Sequence, residues 1–163
     1  MSPRSQNPPA GIPLPALLDL VSETMFGQFR SGIERSEFGD IRPTHGCVFR
    51  YVEDEGLRLT EIAERANMTK QSAGEVVDDL VARGYVKRIP DPNDRRAKLI
   101  CLTPQGEKAQ AHGRRLFAEV EQSLGERFGQ ERIAQLRELL EEIVAVEAPY
   151  AMPHLARPQP MNA

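Results

Sequence analysis

Between Arg83 and Lys98 the chain places six basic residues against only Asp91 and Asp94, although its net charge is −3. Phosphate responds to local charge, so this concentration outweighs the acidic sum. Arg95 and Arg96 are expected at or beside the tip of a two-stranded ribbon, with Lys87, Arg88 and Lys98 on its strands. A narrow minor groove concentrates negative potential and favours arginine, which such a tip can deliver. Asp94, just before them, is expected to orient a guanidinium through a bidentate pair. A second group lies upstream. Thr69, Lys70, Gln71, Ser72 and Glu75 fall at the start of a helical pattern whose other face is apolar. Gln can pair twice with adenine, Ser can donate or accept, and Lys can reach phosphate or guanine. A helix N-terminus itself attracts phosphate.

Stepping outward, the elements that must hold these groups are mostly helical. Leu14, Leu17, Leu18, Val21, Met25, Phe29 and Ile33 recur at three- and four-residue steps, which predicts a long first helix. HGCVFRYV reads as a short second helix, and LRL after the EDEG turn as a short strand at best. Thr60 is expected to cap TEIAERAN, and Thr69 to cap the next helix, which buries Ala73, Val76, Val77, Leu80 and Val81 and stops at Gly84. Two short capped helices with a tight turn at Asn67–Met68 form a helix-turn-helix pattern. YVKRI and KLICL read as two strands, with PDPNDRRA as the loop between them. Thr103 and Pro104 open a further helix, and stripes from Leu116 to Phe128 and from Ile133 to Val144 give two long helices.

The stretch from Leu57 to Glu107 resembles the winged helix-turn-helix of MarR-family transcription regulators. The marks are Leu80, Arg83 and Gly84 at the end of the recognition helix, the wing motif from Asp91 to Ala97, and Leu102, Thr103 and Gly106 after it. The resemblance implies a mainly α fold with a small β-hairpin wing. It also implies a homodimer that occupies a pseudo-palindromic double-stranded DNA operator, most often as a ligand-responsive repressor. Recognition helices would enter successive major grooves, and Arg96 matches the family's wing arginine with Asp94 as its orienting partner. The terminal helices would form the dimer interface. The chain departs from the family at Glu75, where members often carry a basic residue, and Asp78 also faces outward.

By the same resemblance, a small aromatic or phenolic effector would bind between the dimerisation and DNA-binding parts, at Phe26, Phe29, His45, Cys47, Phe49 and Arg50. The domains expected are a disordered tail (1–13), N-terminal dimerisation helices (14–56), the winged helix-turn-helix (57–104), C-terminal dimerisation helices (105–148) and a flexible tail (149–163). Proline punctuates both tails.

Other function classes find less support. No nucleophile elbow, phosphate loop, metal cluster or dinucleotide fingerprint occurs, and the three histidines are scattered, so neither catalysis nor a cofactor is expected. Cys47 and Cys101 have no metal-ligand spacing and read as reduced thiols of a cytoplasmic protein. A redox-sensing role for either thiol is one alternative; a winged helix that binds protein instead of DNA is the other. Membrane-span and secretory-leader patterns are both missing.

Overall fold

The computed structural model describes residues 11–151, with side chains to residue 146. Helix α1 spans Leu14–Glu34, and a 3-10 turn at Pro43–His45 leads into α2, Gly46–Tyr51. Strand β1 (Leu57–Arg58) precedes α3 (Leu59–Arg65) and α4 (Lys70–Ala82). The hairpin is β2 (Val86–Asp91) and β3 (Asp94–Leu102), followed by α5 (Pro104–Phe128) and α6 (Gln130–Ala151). This is the expected mainly helical fold with a small wing. β3 lies at the centre of an antiparallel three-stranded sheet, paired with β1 through Leu57–Ile100 and with β2 from Val86–Leu102 to Asp91–Asp94.

The core forms where α2, α3, α4, the sheet base and the start of α5 meet. Val48, Val52, Ile62, Val77, Leu80, Tyr85, Ile100 and Ala109 are all buried there. Apolar residues at three- and four-residue spacing on α4 supply Ala73, Val77 and Leu80, whereas Val81 is exposed, against expectation, because it has turned off that face. The helix-turn-helix corner is tight: Asn67 is the one described non-glycine residue with positive φ (51°), a conformation that asparagine tolerates.

Threonine side chains cap the starts of α4 and α5. Thr69 Oγ1 accepts from Ser72 N–H at 3.1 Å, and Thr103 Oγ1 from Gly106 N–H at 3.1 Å. Thr60 does not cap α3. The cap residue is Arg58, whose N–H donates to Glu61 Oε2 at 2.9 Å, so Thr60 lies inside the first turn.

The end of the wing also joins β3 to α5. Thr103 N–H donates to the Tyr85 carbonyl at 3.0 Å, and its hydroxyl to the Gly84 carbonyl at 2.6 Å. Gly106 follows so closely that a Cβ there would lie 2.0 Å from the Tyr85 oxygen. The Thr103–Gly106 spacing is therefore a packing requirement of the wing on α5.

Two boundaries differ from expectation. The wing strands are longer than YVKRI and KLICL, leaving only Pro92 and Asn93 as the turn. Helix α6 continues through Pro149 to Ala151, past the expected tail boundary at 149. The remainder of the two expected tails, residues 1–10 and 152–163, lies outside the described residues. No described helix is long and apolar enough to cross a membrane.

Candidate nucleic-acid interface

The N-terminus of α4 presents Thr69, Lys70 and Gln71 to solvent, with Ser72 half-buried behind them. Thr69 Oγ1 also donates to Ser72 Oγ at 2.9 Å, which leaves the Ser72 hydroxyl proton available to an outside acceptor. Gln71 Nε2 donates to Glu75 Oε1 at 3.3 Å, so the acidic departure at Glu75 has an internal partner one turn away. Asp78 is answered from the wing by Arg88 Nη2 at 2.7 Å. That pair removes an exposed negative charge from the helix and occupies Arg88, which was expected to face DNA.

The wing is built on a pair that sequence reasoning did not find. Asp91 is 5 % exposed, and its Oδ2 accepts from Arg58 Nε at 2.7 Å and Nη2 at 2.6 Å. Its Oδ1 accepts from Asn93 N–H at 2.8 Å, closing the two-residue turn. The Asn93 hydrogen bond, with Arg58 adding to it, holds the Asp91 carboxyl below its ordinary value. Asp94 also closes onto the backbone: its Oδ1 accepts from the Arg96 backbone N–H at 3.0 Å, and Oδ2 lies 3.8 Å from Arg58 Nη1. Asp94 thus orders the backbone of Arg96 and faces the Arg58 guanidinium. It does not form the expected bidentate pair with the Arg96 side chain.

Arg95 and Arg96 are exposed on β3, just past the turn and not at its tip. Successive strand residues project to opposite faces, which sends the two guanidiniums to different sides of the ribbon. Among the described residues, Lys70, Lys87, Arg95, Arg96 and Lys98 make no ion pair. Around the wing and α4, Arg58, Arg83 and Arg88 are tied to acidic partners of the fold, and these five unpaired cations are exposed.

A cavity of about 670 Å³ opens between α1, α2 and α5. Of the six residues expected at an effector pocket, Phe26, Phe29, Cys47, Phe49 and Arg50 line it. His45 does not. Its ring is buried and turned to α4, where Nε2 meets Asp79 Oδ2 at 2.9 Å. Among the residues missed are Phe117, stacked on Phe29 with centroids 4.1 Å apart, the cations Arg30, Arg42 and Arg114, and the acid Glu34. Phe117 lies on the apolar stripe of α5, but nothing local says which helix faces it. Burial raises the Cys47 thiol above its ordinary value, the opposite of what a reactive thiolate needs.

With the geometry in place, known proteins supply the frame. The MarR family model matches residues 40–97, from the turn before α2 to the wing. The HTH-type transcriptional regulator FarR of Neisseria gonorrhoeae is 26 % identical over 133 residues, 77 % of this chain and 84 % of that protein. The helix-turn-helix and wing are thus similar in sequence to those of MarR-family regulators. The transcriptional regulator HosA of Escherichia coli O111:H- is 33 % identical over 73 residues, covering 44 % of this chain and 54 % of HosA. The matched segment therefore spans about half the length of this curated relative. The crystal structure of wild-type apo MarR from E. coli superposes with a TM-score of 0.69 at 23 % identity, covering 82 % of this chain and 97 % of that one. The MarR fold is thus shared by most of the chain. These curated relatives are named as transcriptional regulators.

Proposed function

We propose that this protein is a MarR-type, sequence-specific DNA-binding regulator that works in the cytoplasm as a homodimer on a pseudo-palindromic operator, most simply as a repressor. The observation that carries the reading is the division of cations described above: those of the wing and of the α4 N-terminus that have no internal partner are all solvent-facing. A S. aureus MepR mutant of the same fold is bound to an oligodeoxyribonucleotide, at a TM-score of 0.58 and 23 % identity. In this reading Lys70, Gln71 and Ser72 meet base edges and phosphates in a major groove, with Thr69 and Glu75 flanking them. Arg96 reaches the adjacent minor groove, Arg95 on the other side of the ribbon contacts backbone with Lys87 and Lys98, and Asp94 acts by ordering the Arg96 main chain.

The dimer follows from what the long helices leave bare. Leu14, Leu20 and Val21 on α1, and Leu136, Leu139, Ile143 and Val146 on α6, are exposed large apolar residues. Contiguous apolar faces of this kind mark association sites, and the segments 14–56 and 105–148 are the dimerisation units proposed. The aromatic cavity ringed by Arg30, Arg50 and Arg114 suits a small aromatic or phenolic effector carrying an acidic group.

The test is a salt-series binding assay on the DNA upstream of the protein's own coding sequence, comparing wild type with Arg96→Ala. Steeply salt-dependent, specific binding is expected, and the variant should lose about 1–3 kcal/mol. Wild-type binding that is equally weak on unrelated DNA would remove the operator reading. Adding phenolic carboxylates to the same complex tests the effector. Release by none of them would remove that part.

A further inference from the structure

The turn that walls the cavity also touches the recognition helix, through one side chain. Ile41, Pro43, Gly46 and Cys47 line the cavity on one side of the Pro43–His45 turn. His45 leaves the other side and is 1 % exposed. Its two ring nitrogens have different partners. Arg42 N–H donates to Nδ1 at 3.1 Å, so Nδ1 must be bare. The ring proton then sits on Nε2, which donates to Asp79 Oδ2 on α4 at 2.9 Å. One side chain thus closes its own turn and holds α4, and only one tautomer does both.

We propose that His45 is a positioning residue for DNA recognition, locking α4 to the cavity wall only while its Nδ1 is unprotonated. The proposal rests on the DNA-binding reading above. A proton added at Nδ1 would face the Arg42 N–H, donor against donor at 3.1 Å, and the turn must open to separate them. The charged groups around the ring are Asp79 and Arg83 from α4 and Arg42 from its own turn. Asp79 favours the charged ring, but Arg83 Nε at 3.0 Å and Arg42 Nη1 at 3.7 Å already share that carboxylate. Burial is the largest influence and holds the imidazole below its ordinary value of 6.5, despite the Asp79 hydrogen bond. A group so depressed adds stability that is complete above 6.5 and is lost as pH falls through the folded-state value. The loss therefore comes on the acid side of neutrality. Protein–DNA affinity commonly strengthens as pH falls, because the protein gains positive charge, so weakening on acidification distinguishes this lock from general electrostatics.

The experiment uses the full chain in two arms. In the first, NMR of the histidine ring nitrogens and of the α4 amides is followed through an acid titration without DNA. We expect the Nε2–H tautomer at His45 at neutral pH, with faster α4 amide exchange as it titrates. An Nδ1–H tautomer, or α4 exchange indifferent to His45 protonation, overturns the proposal. In the second, binding to the upstream DNA is compared between about pH 8 and about pH 5 for wild type, His45→Gln and His45→Asn. Glutamine reaches Asp79 and cannot titrate; asparagine keeps an acceptor for Arg42 but is too short for Asp79. Wild type should weaken roughly tenfold or more on acidification, His45→Gln should hold or strengthen, and His45→Asn should bind poorly throughout. A His45→Gln profile parallel to wild type overturns the proposal. If wild type binds DNA at no pH, the functional reading fails while the first arm still decides the lock. That arm also suffices if His45→Gln does not fold.

Discussion

The winged region and the long terminal helices solve the burial problem differently. In the winged region the apolar residues of α3, α4 and the sheet base are almost all covered by their own chain, and its acidic groups have named partners: Asp40 with Tyr85 and Arg83, Asp78 with Arg88, Asp91 with Arg58. On α6 none of the residues described is fully buried, and Leu139 is 54 % exposed. The first region is finished as a single chain. The second keeps an apolar stripe with nothing on it, which is how a chain looks when part of its core belongs to an assembly.

Charged substitutions on α6 should break this contrast most strongly. Leu139→Glu together with Ile143→Glu is expected to convert a dimer to a monomer, by burying charge at a cost of several kcal/mol. Analytical ultracentrifugation would read it, while the near-UV spectrum of the winged region stays unchanged. A variant that remains dimeric would place the interface elsewhere. Gly106→Ala attacks the finished region instead. Its Cβ meets the Tyr85 carbonyl, a rigid backbone atom, so a loss of about 1–3 kcal/mol in denaturant unfolding is expected. The smallest effect belongs to Thr69→Ala. Losing the α4 cap should lower stability by about 1 kcal/mol, and DNA affinity should fall further than that if, as proposed, the cap also orders the helix end that meets DNA. Equal losses in both assays would show that the cap is structural alone.

The same contrast explains what the sequence made legible. Helices α1, α4, α5 and α6 were readable because apolar residues recur with helical spacing, and Thr69, Gly84 and Thr103 punctuate them with local chemistry. The wing was misread at its end. PDPNDRRA looks like a loop by composition, yet the Asp91 and Asp94 side chains accept the backbone N–H groups of Asn93 and Arg96, and the strands run to the edge of a two-residue turn. Glu61, three residues after Arg58, was the true capping signal for α3, and Thr60 drew attention from it. Arg58 and Asp91 are 33 residues apart, so no local pattern pairs them. His45 sits within two residues of a cavity-lining Cys47, but the turn sends its ring to the opposite side. Proximity in sequence gave the right neighbourhood and the wrong face.

Helix α5 begins under the wing and ends beside the exposed faces, as one unbroken run of 25 residues. At about 1.5 Å per residue it is a shaft of about 37 Å, stiffened by continuous backbone hydrogen bonds. Its near end is pinned where Gly106 touches the Tyr85 carbonyl, and Gln110 Nε2 clamps it to the Phe49 and Val52 carbonyls at 2.8 and 2.9 Å. A shaft held this way converts angle into distance. A tilt of about 5° at one end moves the other by about 3 Å, close to the roughly 3.4 Å rise of one base pair. In a two-fold assembly the tilts of two such shafts add. If two copies pair as proposed, the separation of their α4 helices becomes a quantity that small changes in the cavity beside α5 would shift on the scale of a base pair.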